Sequence, residues 1–204
     1  MSQNNVLLSE EIVKKLMEIK GQARGVHFKN DADFVLKEKG KEGLKEVEKT
    51  LKRIGCPIDY EKINQFDFYP AGLRAISLLA IKETFNWQDE KIKDLCSYAM
   101  HVSWIIKLFM GYFFSIEKVC KETPKIWSKY FSAGEVEVEE INEEKKFVIL
   151  KIKNFDLHPI YCCCFEGVLL GTVKMVVKSK NITCEEVECS FRNGKEHKYL
   201  VKWE

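Results

Sequence analysis

Residues 135–152, EVEVEEINEEKKFVILKI, are where the pattern of this chain changes. Glu135 to Glu139 alternate strictly between acidic and apolar, and a turn at Asn142-Glu143-Glu144 leads into Phe147 to Ile152. That period of two predicts a β-hairpin. His158-Pro159 then breaks the chain, and residues 160–177, IYCCCFEGVLLGTVKMVV, read as one helix. Gly167 and Gly171 fall four apart on one of its faces, which allows a neighbouring backbone to come close. Residues 182–191 and 199–203 read as two further strands joined by a turn at Asn193-Gly194. Residues 134–204 therefore follow the order β-β-α-β-β.

Working back from this unit, the period becomes helical. Ser9 caps a helix through Lys20; Asp31 or Asp33 opens a helix that stops near Gly40; Lys41 to Ile54 forms a charged amphipathic helix ended by Gly55-Cys56-Pro57. Tyr69-Pro70 introduces a helix through Phe85, Asn86 or Asp89 leads into a long apolar helix, and Thr123-Pro124 opens a short one ending near Phe131. The fold class is α+β: N-terminal helices followed by a β-β-α-β-β unit whose small antiparallel sheet packs on helices. The expected domain organisation is an N-terminal helical extension over 1–20 and a single α+β ligand-binding domain over 21–204, helical to about 133.

Residues 95–116, LCSYAMHVSWIIKLFMGYFFSI, are long enough to span a bilayer. Lys107 near the middle costs roughly 3 kcal/mol there. Leu95, Ala99, Val102, Ile106, Phe109, Phe113 and Ile116 follow a 3,4 rhythm, the seam of a helix facing a core. The expectation is a buried central helix, also part of a dimer interface, and no membrane span. Lys+Arg number 33 against 31 Asp+Glu, so no electrostatic grip on nucleic acid is expected. The start, MSQNNVLLSEEIVKK, has no basic stretch followed by an apolar one and is not read as a secretory signal. The expected location is the cytoplasm, with reduced thiols.

Three of the eight cysteines, Cys162, Cys163 and Cys164, are adjacent at the start of a helix. A helix turns about 100° per residue, so the three cannot share one face. Cys184 and Cys189 are five apart, on opposite faces of a strand unless a bulge or turn intervenes. Small buried hydrophobes, a thiophilic metal site and a redox sensor all remain open for this group. The chain has no nucleophile elbow, no phosphate-binding glycine loop and no paired acid and base, so no catalytic residue is nominated and an enzyme is not expected. The aromatic residues Phe109, Tyr112, Phe113 and Phe114, then Trp127, Tyr130 and Phe131, concentrate before the sheet. Trp104, Leu108, Phe109, Tyr112, Trp127, Phe165 and Leu169 are the candidates for lining a ligand cavity, each with an alternative role as ordinary core.

The runs TPKIWSKYFSAGEVEVEE, FVILKIKNFDLHPIYCCCFEGVLLG and ITCEEVECSFRNGKEHKYLVKW together resemble the vinyl-reductase-type small-molecule-binding domain. That domain shares its fold with TRAPP-complex Golgi transport subunits and haem-NO-binding-associated sensors. The runs KGQARGVHF, EKGKEGLKEVEKTL and FYPAGLRAISLLAI look like stand-alone bacterial relatives of myxobacterial type, and the resemblance covers residues 20–204. It implies a homodimer that binds a small apolar or aromatic molecule in a regulatory role. In some members it implies a zinc held by cysteines and a Glu. Cys162 matches the family cysteine five residues before Gly167, and Cys184 and Cys189 match the closing pair. Two features depart from that pattern: the family pair is about eight apart around a Gly, and Ser179 stands where its Glu is expected, with Glu185, Glu186 or another cysteine able to compensate. The Tyr-x-Ser-x-Arg signature for haem propionates is missing, so zinc is the possible cofactor and haem is not expected, His101 being the one histidine offered for it.

The leading expectation is a sensory domain that relays binding of a small hydrophobic molecule through a homodimer to a signalling protein. The alternatives are a protein-interaction module of TRAPP type, a haem- or NO-related sensor, and, last, an enzyme acting on a tetrapyrrole vinyl group.

Overall fold

The computed structural model describes residues 8–102 and 115–204, with the side chains of 101 and 102 left aside. Among the described residues, six helices and six strands are found; the helices largely precede the sheet as expected, but two short strands, which the sequence did not suggest, lie among them. Helix α1 spans Glu10–Met17, and the Ser9 hydroxyl accepts from the Ile12 N–H, as its capping role requires. Strand β1 (Gln22–Arg24) pairs with β2 (Phe68–Pro70) in a short antiparallel ribbon. Helix α2 runs from Val26 to Arg53. It is interrupted at Gly40, whose φ 68°, ψ −172° is not helical, so the two helices expected on either side of Gly40 are both present and meet there at a kink. Asp31 is not a cap: it lies inside α2 and is buried.

Helix α3 (Ala71–Phe85) starts directly after Pro70 and ends at Asn86, which takes a left-handed conformation. Ten of its residues are buried, so it forms the centre of the helical layer. Helix α4 spans Asp89–Val102 and α5 spans Ile116–Tyr130. Thr123-Pro124 does not open α5. Ser115 caps it, and Pro124 sits inside, omitting one rung of the hydrogen-bond ladder while the Thr123 hydroxyl donates to the Val119 carbonyl. Of the long apolar segment expected over 95–116, residues 103–114 lie outside the described residues. No helix among the described residues is long and apolar enough to cross a membrane.

Strands β3 (Glu135–Asn142), β4 (Phe147–Lys153), β5 (Ile182–Glu188) and β6 (His197–Trp203) form one antiparallel sheet in the order β3-β4-β6-β5. Helix α6 (Ile160–Val176) lies between the two hairpins in sequence and against β5 and β6 in space. The alternation decides the two faces of the sheet. Val148, Leu150, Ile152, Tyr199 and Val201 point into the core. On the other face, Lys151 pairs with Glu139 at 2.8 Å and Lys153 with Glu137 at 2.6 Å. The acidic alternation of β3 therefore faces solvent and is answered by lysines on its neighbour.

Helices α4 and α6 are packed closest at Gly167 and Gly171. A Cβ on Gly167 would sit 2.2 Å from the Lys93 carbonyl oxygen, and one on Gly171 would sit 2.9 Å from that of Ser97. The close approach expected from the glycine spacing is thus made with α4.

Candidate ligand chamber and metal-ligating cluster

Between the helices and the inner face of the sheet lies a chamber of about 150 Å³. Val148, Leu150 and Ile152 of β4 form one wall and Phe165, Val168 and Leu169 of α6 another. Trp127 and the rest of the inner face of α5 close a third. Phe155 meets Trp127, Phe131, Tyr161 and Phe165 edge-to-face around this end, and the Trp127 and Phe165 rings lie tilted with centroids 5.3 Å apart. The Trp127 indole N–H donates to the carbonyls of Ala133 and Gly134 at 3.0 and 3.1 Å, so its ring plane is fixed.

Of the residues proposed from the sequence to line a cavity, Trp127, Phe165 and Leu169 are on its wall. Trp104, Leu108, Phe109 and Tyr112 lie outside the described residues, as does the side chain of His101.

The wall also carries a few polar groups that the sequence did not single out. Arg74 of α3 pairs with Asp31 of α2, and the Ser77 hydroxyl donates to the same carboxylate oxygen at 3.1 Å. Arg74 and Asp31 are 3% and 0% exposed, yet Arg74 Nε and Asp31 Oδ1 have no partner among the described residues. Burial pushes the Asp31 carboxyl up to about 6 in spite of the guanidinium. His27 of α2 stacks on Phe131 at 4.9 Å, and its Nε2 is buried without a partner among the described residues. Burial first, then the charges of Arg74 and Arg24, hold its imidazole well below the usual range, so it is neutral. Cys96 of α4 and Cys164 of α6 complete this end, with their sulfurs 2.7 Å apart and the Cys96 thiol donating.

A second cluster lies where α6 begins. Cys162, Glu186, Cys189 and His197 each present one donor atom, and all four atoms lie within 4.8 Å of one another. The Cys162 and Cys189 sulfurs are 3.7 Å apart, and Cys162 Sγ is 3.9 Å from His197 Nδ1. Two sulfurs bound tetrahedrally at about 2.3 Å from one zinc are separated by about 3.8 Å. Glu186 Oε1 is 2.8 Å from His197 Nδ1. Around them stands a second set of contacts: Arg192 donates to the other Glu186 oxygen at 2.6 Å, and Ser190 Oγ lies 2.9 Å from His197 Nε2. Such partners orient the ligating atoms of metal sites. Burial, followed by the Glu186 charge and the neighbouring Cys189, pushes the Cys162 thiol far up. Burial also raises Glu186, but hydrogen bonds from His197, Cys189 and Cys162 outweigh it and hold the carboxylate below its usual range.

Cys162 and Cys189, expected to ligate a metal, are therefore brought together, and Cys184 is not among them. Cys184 points inward from β5 and is 8% exposed. A bulge at Glu186/Glu188 and the short 3-10 turn that Cys189 precedes separate its direction from that of Cys189. The carboxylate is Glu186, and the fourth donor is His197. His197 was not nominated from the sequence, because only the β5–β6 pairing brings it to Cys189 and Glu186.

No family model matches the sequence, and no curated protein matches it either. Solved structures do. An H-NOX protein from S. oneidensis in the Fe(II)NO ligation state superposes with a TM-score of 0.68 at 12% identity, covering 89% of this chain and 99% of that one. Fe(II) unliganded H-NOX from K. algicida gives 0.63 at 15% identity, covering 89% and 96%. An oxygen-binding H-NOX domain related to soluble guanylate cyclases gives 0.61 at 12% identity, covering 86% and 92%. The chain shares the fold of these H-NOX proteins over 86–89% of its length. The vinyl-reductase-type and TRAPP-type resemblance finds no support among these matches.

Proposed function

We propose that this chain is a sensory domain that holds a small apolar molecule in the chamber between α5, α6 and the sheet. The observation that carries this reading is the chamber itself. It is walled by aliphatic and aromatic side chains, and about 150 Å³ is a size at which an apolar protein cavity takes up benzene. The H-NOX fold supports the sensory class. Binding rather than catalysis is the reading because no Asp or Glu stands among the described wall residues and His27 is neutral. Relay through a second copy of the chain to a signalling protein belongs to the same proposal, and a dimer in a solution size measurement is its expected sign.

A haem- or NO-related sensor is the second reading, favoured by the neighbours and by one residue. His27 places an unpartnered imidazole nitrogen on the wall, the donor chemistry that a haem iron takes. A bound haem would supply an iron to which a diatomic gas binds; His27 would hold that iron and the aromatic wall would face the ring. The present volume is that of a single ring, smaller than a porphyrin, and Arg74, the one cation on the described wall, is committed to Asp31. The haem reading therefore requires the walls to part, and among the described wall residues no free cation is left for the propionates.

The two are separated by titrating the protein with toluene or indole and, separately, with haem. The expected result is a saturable rise in thermal midpoint with the single-ring ligand. Stability should gain about 2.7 kcal/mol at a hundredfold excess over Kd. Leu169→Trp, which fills the chamber, should abolish the rise. A one-to-one Soret shift that His27→Ala or His101→Ala removes would move the assignment to haem. No response to either class would overturn the sensory reading.

The second cluster is read as a structural metal site. Cys162, Glu186, Cys189 and His197 make a closed set of two sulfurs, one nitrogen and one oxygen, which suits tetrahedral Zn²⁺. Three anionic ligands around a divalent cation leave one negative charge, and Arg192 on Glu186 offsets it.

A further inference from the structure

The geometry points to Cys96 and Cys164 as a redox-active dithiol, placed to close a disulfide that staples α4 to α6 at the wall of the chamber. Both cysteines are free thiols, and their sulfurs are 2.7 Å apart. That is well inside sulfur–sulfur contact, and a disulfide at about 2.0 Å needs only a small further approach. The approach comes from the helix packing. At Gly167, one turn along α6 from Cys164, the backbone of α4 is so close that a Cβ would lie 3.1 Å from Cys96 Cβ. Any larger residue there would hold the two sulfurs apart.

Access and charge point the same way. Cys96 and Cys164 are 1% and 4% exposed, so the protein surface offers no route to them, but both line the chamber. A small oxidant that enters the chamber meets these two sulfurs together. The Arg74 guanidinium, also on the wall, lies 4.0 Å from Cys96 Sγ. Burial pushes the Cys96 thiol well up, whereas the hydrogen bond from Cys96, helped by the Arg74 charge, holds Cys164 below its usual range against burial, so Cys164 is the sulfur that attacks first.

The oxidant class is a small hydroperoxide, ROOH. One sulfur attacks the terminal peroxide oxygen: an S–O bond forms, the O–O bond breaks, and the alkoxide leaves as ROH with the thiol proton. The second sulfur then attacks the first. The S–S bond forms, the S–O bond breaks, and hydroxide leaves as water with the second thiol proton. Two thiols lose two electrons, and the peroxide is reduced to one alcohol and one water.

The test is treatment of the purified protein with hydrogen peroxide, followed by denaturation and alkylation without reductant. Intact mass and peptide mapping are then read together. The expected species is lighter by two hydrogens, contains a Cys96–Cys164 linked peptide, and has the other six of its eight cysteines alkylated. Dithiothreitol should restore alkylation at both. In Cys56→Ser, which removes a buried cysteine elsewhere, the link should form unchanged. Equal alkylation of Cys96 and Cys164 before and after peroxide would overturn the proposal. So would a first disulfide between Cys162 and Cys189, or oxidation of Cys96 and Cys164 only as separate sulfinic acids.

Discussion

Asp31 is a carboxylate with no exposure, on a helix face that meets Arg74 and Ser77. Burial raises its folded-state value from 3.8 to about 6. A carboxyl raised in the fold contributes stability below its unfolded value and loses it as pH climbs through its folded value. The stability of the protein relative to Asp31→Asn should therefore be greatest near pH 4 and fall by up to about 3 kcal/mol by pH 7. Urea unfolding of both proteins across that range checks it, and a pH-independent difference would remove Asp31 from the account. Removing the carboxylate altogether in Asp31→Ala should cost about 3–5 kcal/mol, because Arg74 is left as a buried unpaired charge. Asp31 was one of two residues, with Asp33, read from the sequence as opening a helix, a common use of Asp before an apolar run. Only the rotation of α2 against α3 shows that it faces a buried arginine instead.

At the scale of elements, α6 touches nearly everything that matters. Its first turn carries Cys162, its middle carries Cys164 and Phe165, and its glycine face takes the α4 backbone. Gly167→Ala would normally favour a helix by about 1 kcal/mol. Here the new methyl would sit 2.2 Å from the Lys93 carbonyl oxygen, which is backbone and cannot swing away. The expected net effect is a loss of about 1–3 kcal/mol. Gly171→Ala, whose methyl would meet Ser97 O at 2.9 Å and Met100 Cβ at 3.0 Å, should lose less. Denaturant midpoints measure both, and equal stability of the two variants would contradict the packing described. The glycine spacing was legible in the sequence, and so was its meaning; which helix would fill the gap was not. The position of Pro124 was misleading for a related reason. Proline is most at home in a first turn, so it marked a helix start, whereas the Ser115 cap lies nine residues earlier and the helix simply tolerates the missing rung.

For the molecule as a whole, the metal cluster joins α6 through Cys162, β5 through Glu186, the turn after β5 through Cys189, and β6 through His197. Binding of Zn²⁺ should therefore raise the thermal midpoint, and chelation should lower it. Cys189→Ser and His197→Ala should lose the bound metal, whereas Cys184→Ser should keep it at one per chain. Metal analysis on dialysed protein reads this directly; loss of zinc in Cys184→Ser with retention in His197→Ala would reverse the assignment. Binding must expel the thiol protons of Cys162 and Cys189. Affinity should accordingly fall as pH falls, by about tenfold per unit for each proton released.

The β-β-α-β-β order of residues 134–204 and the two faces of the sheet were legible in the sequence, whereas strands β1 and β2 and the start of α5 were not. Period two in 135–152, the helical run after His158-Pro159 and the turn at Asn193-Gly194 are local signals, set by side-chain alternation and by backbone conformations available to single residues. Trp127, Phe165 and Leu169 were legible as wall residues for the same reason, since large apolar groups on an inward face must bury somewhere. What the sequence could not contain is which groups meet. Cys162 and Cys189 are 27 residues apart, Cys162 and His197 are 35, and Cys96 and Cys164 are 68. Their contact depends on the β5–β6 register with its bulge, and on the rotation of α6 about its own axis. A slip of one residue in the first, or about 100° in the second, would scatter the donors to different faces. Only the tertiary packing of α6 between α4 and the sheet decides that register and that rotation. It alone separates Cys184 from the cluster and admits Glu186 and His197.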